Sequence, residues 1–384
     1  MKFSARIISD LAAIDRQDWA ELNHADNPFL SLAFLGGLES SGSIGPHIGW
    51  QPHHLSLYED GKLVAFAPSY IKSNSHGEFV FDWAWADAYH RHHLPYYPKL
   101  LTAVPYSPVS GARLLTRQGH PQEEELRQGL IQLAMDECKQ QGFSSWHCNF
   151  ISQEDHVALS ESESPLLGRS DWQFHWRNNG YASFDDFLVR LRSRKRKNIR
   201  RERRLVAEAG IRFDWKTGDE INAEDIEFIH RCYAGTFHAY GNHPALNQDF
   251  FASIARGLHD RFLASFASLD GERLAMSLFL SGGGRLYGRY WGCTQEIPGL
   301  HFETAYYQGI EYCIRNDLQV FESGAQGEHK VSRGFMPEKT RSRHYVADGR
   351  FQQAIAEFLS RETDWLNDYR DELLKHSPYR RDQP

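Results

Sequence analysis

Residues 262–291 read FLASFASLDGERLAMSLFLSGGGRLYGRYW, and their pattern decides the fold. Phe262–Leu269 reads as a strand, Asp270-Gly271-Glu272 as a tight turn and Leu274–Leu280 as the returning strand, since Asp-Gly supplies the positive-φ positions of a hairpin. Gly282-Gly283-Gly284 turns the chain again into a third strand, Arg285–Trp291. A helix is predicted from about His301 to Arg315, and a short buried strand over Leu318–Glu322.

The same plan is written earlier in the chain. His54–Tyr58 and Leu63–Ala67 flank the turn Asp60-Gly61-Lys62, and Phe79–Trp85 reads as the third strand. A Pro-rich crossing from Tyr96 to Pro108 leads to a helix starting near Pro121, with Glu123, Glu124 and Glu125 in its first turn. Gly142 ends that helix and Ser145–Phe150 reads as a buried strand. Gln128-Gly129-Leu130 in this helix is echoed by Gln308-Gly309-Ile310 in the later one, so the chain reads as an internal duplication. The expected fold is mixed α/β, two tandem domains that are each a mostly antiparallel sheet flanked by helices. A Ser, Glu, Pro and Gly cluster at Leu159–Gly168 marks the boundary, giving domains 1–168 and 169–350. Residues 351–384 form a helical tail whose apolar stripe packs on the domains, with SPYRRDQP frayed at its end.

A chain of 384 residues with 41% hydrophobic and 24% charged residues folds around more than one core. Asp10 and Asp15 interrupt the N-terminal stretch where a secretory segment would be apolar, and no run approaches the ~20 apolar residues of a membrane span. The five cysteines are scattered without a C-x-x-C pair, which excludes a disulfide framework and fits a reducing cytoplasm. A net charge of −7 argues against indiscriminate nucleic-acid binding, and no DNA partner is expected.

One segment departs from that average. In RLRSRKRKNIRRERR, residues 190–204, ten of fifteen residues are Arg or Lys, and Glu202 is the one acid. Ser183 with Asp185 and Asp186 reads as a capped start, giving a basic helix over 184–209. Such a run can be a solvated face, but like charges at i, i+4 repel, and the density points to a polyanion. A nucleotide diphosphate, a tRNA acceptor end and an acidic protein surface are the candidates.

Further candidates follow the buried strand at 318–322. The loop carries Gln326, Glu328, His329, Lys330 and Arg333 between glycines, a composition able to hold phosphate or carboxylate, although it lacks the P-loop spacing. Tyr290, His301 and Glu303 flank the junction of third strand and helix and are candidate catalytic or orienting groups. Asp82, Trp83 and Asp87 mix acids with rings, as a sugar or peptide pocket does, or as the edge of a core strand does. His90, His92 and His93 lack the spacing of a helical zinc site, so no metal is assigned.

Several blocks together resemble the FemAB-like "peptidoglycan biosynthesis/recognition" family of the GNAT superfamily. They are Phe81–Leu115, Phe174–Arg204, GRYWGC (288–293), LHFETAYYQGIEYC (300–313) and FESGAQGEHKVSRGFMP (321–337). The resemblance implies tandem GNAT-like domains and transfer of an acyl or aminoacyl group onto an amine of an amino-acid, peptide or cell-wall-precursor substrate. The family's basic S-x-K-x-R-x-N-x-R-R pattern falls on Arg194, Lys195, Lys197, Asn198, Arg200 and Arg201. Lys330 and Gly334 match the lysine and last glycine of its G-x-x-x-F-K-x-x-x-G turn, with His329 in place of the aromatic. The acetyl-CoA loop [QR]-x-x-G-x-[GA] is not reproduced at Gln295–Gly299. Acyl-CoA and aminoacyl-tRNA are the donors implied, with no permanently bound cofactor. The same groove without turnover, in a module that recognises a precursor or tRNA, is the alternative.

Overall fold

The fold is a computed structural model whose described residues are 3–161, 166–324 and 327–380. The chain divides into two units, residues 1–172 with 339–368 and residues 173–338 with 369–384.

In the first unit, Ser4–Ile8, His54–Glu59, Lys62–Ala67 and Leu115–Thr116 form an antiparallel sheet in that order. The expected hairpin turns at Asp60 and Gly61, both at positive φ, with Leu57 opposite Ala65. A second group pairs Trp50–Pro52, Ser69–Lys72, Lys99–Thr102 and Ser145–Asn149, and residues 342–346 pair with this last strand. Lys99–Thr102 and Ser145–Asn149 run parallel, the other pairs antiparallel. The helix Glu123–Gln141 ends at left-handed Gly142 and buries Leu126, Leu130 and Ala134 against Leu55, Leu57 and Val64.

The second unit repeats the plan, as a mostly antiparallel sheet with helices. Arg212–Thr217, Phe262–Leu269, Glu272–Gly282, Arg285–Cys293 and Val320–Glu322 lie side by side in that order. Residues 175–177 of the strand Leu167–Arg177 pair antiparallel with the last of these. The one parallel pair in this order joins Arg285–Tyr287 to Val320–Glu322. Trp176, Phe187, Tyr307, Ile310, Phe321 and Phe335 fill the core.

Three expectations are corrected. Phe79–Trp85 is not a strand: Trp83–Arg91 is a helix, and Lys99–Thr102 takes the third-strand place. The carboxylate of Asp82 draws the chain inward to a buried polar cluster, accepting from Ser75 and Tyr96 at 2.5 Å and from Lys99. Trp85 and Tyr89, one helical turn apart, then face the core. The basic segment is two helices, Phe184–Arg190 and Ser193–Glu208, because Leu191 is extended and bridges to Tyr379. The tail is pinned rather than frayed at residues 377–380. Pro378 O accepts from Arg192 N at 2.8 Å, and the hydroxyl of the half-buried Tyr379 donates to Gly334 O at 2.8 Å.

The helix Gly349–Lys375 gives Phe351, Ile355 and Leu359 to a cluster with Trp85, Tyr89 and Tyr96, and Leu373 to the core of the second unit. Residues 162–165, within the sequence read as a boundary, and residues 381–384 lie outside the described part.

Candidate functional site

The parallel pairing of Arg285–Cys293 with its neighbour stops at Tyr287. On the strand's other edge, Phe279 faces Gly288 and Leu278 faces Tyr290, so Arg289 is an extra residue that bulges the strand. A bulge re-aims side chains and breaks the ladder locally. Gly288 has a reason to be glycine here: a Cβ would meet the Phe321 ring at 3.1 Å.

The gap holds a cavity of about 90 Å³ lined by Ser277, Gly288, Tyr290, Trp291, His301 and Tyr306, among others. Ser277 Oγ, Trp291 Nε1 and Ser323 Oγ are buried there with no partner among the described residues. A buried polar atom left unpaired costs about 1–3 kcal/mol, so three around one cavity point to a polar ligand group.

The wall of the cavity is a turn of π-helix, Glu303–Tyr307, set into the helical segment Leu300–Arg315. Burial, with His329, Arg333 and Lys330 nearby, lowers the pKa of His301 to about 4, so its imidazole is neutral at pH 7. It packs 4.6 Å from the Trp291 ring. Tyr290 packs edge-on against Tyr233 at 4.8 Å. Glu303 is buried and engaged: Arg203 Nε donates to both its oxygens at 3.1 and 3.2 Å, and Gln308 Nε2 donates at 2.9 Å.

The loop after Glu322 returns to the same place as a short 3₁₀ helix, Glu328–Arg333. Lys330 is 2% exposed, and its Nζ donates to Gly324 O at 2.8 Å. Among the described residues no carboxylate pairs with it, and burial lowers its pKa to about 7. His329 Nε2 lies 3.0 Å from the Tyr306 hydroxyl, and Glu328 accepts from Tyr369 at 2.7 Å. Arg333 stacks 3.4 Å over Phe302 and donates to Glu202 at 2.8 Å. Gln326 lies outside the described residues.

The helix Ser193–Glu208 has two faces. Glu202 and Arg203 turn inward, Glu202 to Arg333 and Tyr307, Arg203 to Glu303 and Glu311. Lys195 is half-buried, and burial with Arg194, Arg333 and Arg192 lowers its pKa. Arg194, Lys197, Asn198, Arg200 and Arg201 are exposed, with Arg200 paired to Asp185 at 2.9 Å. The helix opens with no side-chain cap and no acid in its first turn, so its cations add to the positive end of the dipole. That arrangement favours anions.

Tyr290, His301, Glu303, His329, Lys330, Arg333 and the inner face of the basic helix are thus one neighbourhood of the second unit. Asp82, Trp83 and Asp87 belong to the first unit. There Asp82 is buried against Lys99, Trp83 is exposed, and Asp87 pairs with Arg91 on an exposed helix face. His90, His92 and His93 are exposed at the end of that helix.

Sequence reasoning missed Ser277, Ser323, Tyr306, Arg203 and the inward role of Glu202. A lone acid inside a basic run was a usable signal for Glu202, since a buried cation needs a partner. A serine in an apolar strand carries none.

A family model described as peptidoglycan biosynthesis/recognition matches residues 10–381. No curated protein matches the chain. Among solved structures, FemX is 11% identical with a TM-score of 0.52, covering 93% of this chain and 100% of its own. A conserved Bacteroides thetaiotaomicron protein of unknown function is 8% identical with a TM-score of 0.54, covering 90% and 100%. L-PGS from Bacillus licheniformis is 10% identical with a TM-score of 0.51, covering 94% and 99%. At these identities the likeness is one of fold. Among the described residues no helix is long and apolar enough to cross a membrane.

Proposed function

We propose, from the premise that this chain belongs to the FemAB-like family of peptidoglycan biosynthesis/recognition, that it transfers an aminoacyl or acyl group onto an amine of a cell-wall precursor or a related peptide. The observation that carries this reading is the open strand edge after Tyr287, with a polar-lined cavity and the buried Lys330 in the same neighbourhood.

Transfer needs an amine held ~3 Å from an activated carbonyl and donors aimed at the oxygen that becomes negative. The amine nitrogen forms the new C–N bond, the ester C–O or thioester C–S bond breaks, and the amine's proton ends on the leaving group. In this proposal, backbone N–H groups at the bulge and the Lys330 ammonium stabilise the oxyanion. His301, neutral at pH 7, takes the proton in passage, and Tyr290 bounds the cavity. Glu303 positions the basic helix through Arg203. No covalent intermediate on the protein is required.

The exposed cations of the helix hold the anionic part of a substrate, an aminoacyl-tRNA end being the donor that best fits their density. Five free cysteines fit a cytoplasmic place of action. Neutralising Arg194, Lys197 and Arg201 together is expected to weaken binding of uncharged tRNA and to reduce the slope of log K against log salt by about 2, at ~0.7 per contact. Titrations at several salt concentrations read both. An unchanged slope would remove the helix from the donor site.

A thermal-shift panel of acyl-CoA esters, UDP-linked muropeptide precursors and tRNA tests the reading, since a ligand at 100 times its Kd adds about 2.7 kcal/mol. A shift with tRNA or the precursor supports it. A shift confined to CoA esters would instead make the donor a thioester, and binding without turnover would favour a recognition module.

A further inference from the structure

An acceptor amine in water at pH 7 is an ammonium ion, because the amines of peptides titrate above that pH. Attack on a carbonyl needs the neutral amine. The balanced transfer is therefore R–NH3+ plus acyl–X giving the amide, H–X and one free proton. One proton of the amine goes to the leaving group, and the other has to leave a cavity walled by protein. Resting on the transfer proposed above, we infer that Tyr306 and His329 form the path by which this proton reaches water.

The geometry is the first reason. Tyr306 belongs to the turn of π-helix, is 5% exposed and lines the cavity. Its hydroxyl lies 3.0 Å from His329 Nε2, and His329 is exposed. One member of the hydrogen bond thus lines the cavity and the other meets solvent. The Tyr306 oxygen accepts a proton from the ammonium while its own O–H proton moves to His329 Nε2, and the imidazolium then releases the Nδ1 proton to water. Burial raises the Tyr306 phenol to about 12, which such an exchange tolerates, because no phenolate forms.

The second reason lies in what surrounds the ring of His329. It is held 5.9 Å from the rings of both Phe302 and Tyr306. A Cβ at Gly327 would meet its Cε1 at 2.6 Å and its Nδ1 at 3.1 Å, so glycine keeps that edge of the ring clear. Burial, with Arg333 and Lys330 on the same short helix, lowers the pKa of His329. His301 faces it from the helical segment at 6.4 Å between ring centres, and Glu328, beside it in the chain, is engaged by Tyr369. The ring is neutral at pH 7, ready to accept, and its cationic neighbours drive an accepted proton onward. His329 acts through Tyr306, not on the substrate itself.

Single-turnover and steady-state transfer assays on the full chain test the path. His329→Gln keeps an acceptor for the Tyr306 hydroxyl but cannot carry a proton, and as an exposed change it should leave the melting temperature in place. It is expected to lower kcat by about 10²-fold, the low end of what a proton-transfer group supplies, with little change in KM. Imidazole added to the buffer is expected to restore much of the rate. Tyr306→Phe keeps the ring, removes the hydroxyl and is expected to cost a similar factor. The double variant should be no slower than the slower single one, because the two act as a unit. A full rate in either single variant, additive losses, or a His329→Gln loss that imidazole does not repair would overturn the inference while wild-type transfer stands. Absence of transfer by the wild type would overturn the proposed function and the path with it.

Discussion

Lys330→Met is expected to lower kcat/KM for transfer by about 10²–10³-fold, the usual cost of removing one preorganised oxyanion donor. Methionine keeps the apolar stem and loses the Nζ–H that reaches Gly324 O, so the melting temperature should move little. The pH profile separates this role from others. With a pKa lowered by burial to about 7, Lys330 is a cation below that pH and a neutral amine above it. If its charge stabilises the oxyanion, kcat/KM of the wild type falls as pH rises through about 7, and the Lys330→Met profile loses that limb. A wild-type profile that rises through the same range would assign Lys330 the role of a base and contradict this one.

Arg203→Met is expected to cost about 3 kcal/mol of stability, the scale on which breaking a buried pair leaves one charge stranded. Glu303 is nearly inaccessible and would keep Gln308 as its partner while losing the guanidinium on both oxygens. Burial already pushes its carboxyl pKa up, and Arg203 opposes the push most, with the Gln308 hydrogen bond beside it. Without Arg203 the folded-state pKa stands further above the unfolded one, so the folded state binds the extra proton. Stability of the variant is then greatest at acid pH and falls as pH rises through the raised value. Chemical denaturation at acid and alkaline pH reads this sign. Arg203→Met/Glu303→Gln should recover much of the loss, and a double-mutant cycle gives the coupling. Additive single effects would show that the pair does not tie the basic helix to the cavity wall.

The fold was legible where local chemistry and periodicity agreed. The Asp60-Gly61 and Asp270-Gly271 turns set two hairpins, and Gly142 closed a helix, because each position demands a backbone few residues adopt. The block at 79–91 misled for the opposite reason. Its rings and β-formers look like a strand, but the buried Asp82–Lys99 pair and the Trp85 and Tyr89 spacing set the local structure, and both depend on distant parts of the chain. The end of the chain was misread likewise, since nothing in its own composition announces that Tyr379 has a carbonyl waiting at Gly334.

The candidate site was legible as two separated signals, a basic run and a glycine-bounded Lys–Arg loop. Their meeting around Glu202 and Arg333 was not. Neither was the cavity, which is made by a one-residue bulge at Arg289 and a turn of π-helix that no single residue type specifies.

The most direct test of the central claim is a transfer assay with labelled aminoacyl-tRNA, or a labelled acyl-CoA, and UDP-linked muropeptide acceptors, run with the wild type and Lys330→Met. The account predicts label on the acceptor amine with the wild type and a loss of about 10²-fold or more in the variant. Binding of donor and acceptor with no label transferred, or equal transfer by both proteins, would contradict it.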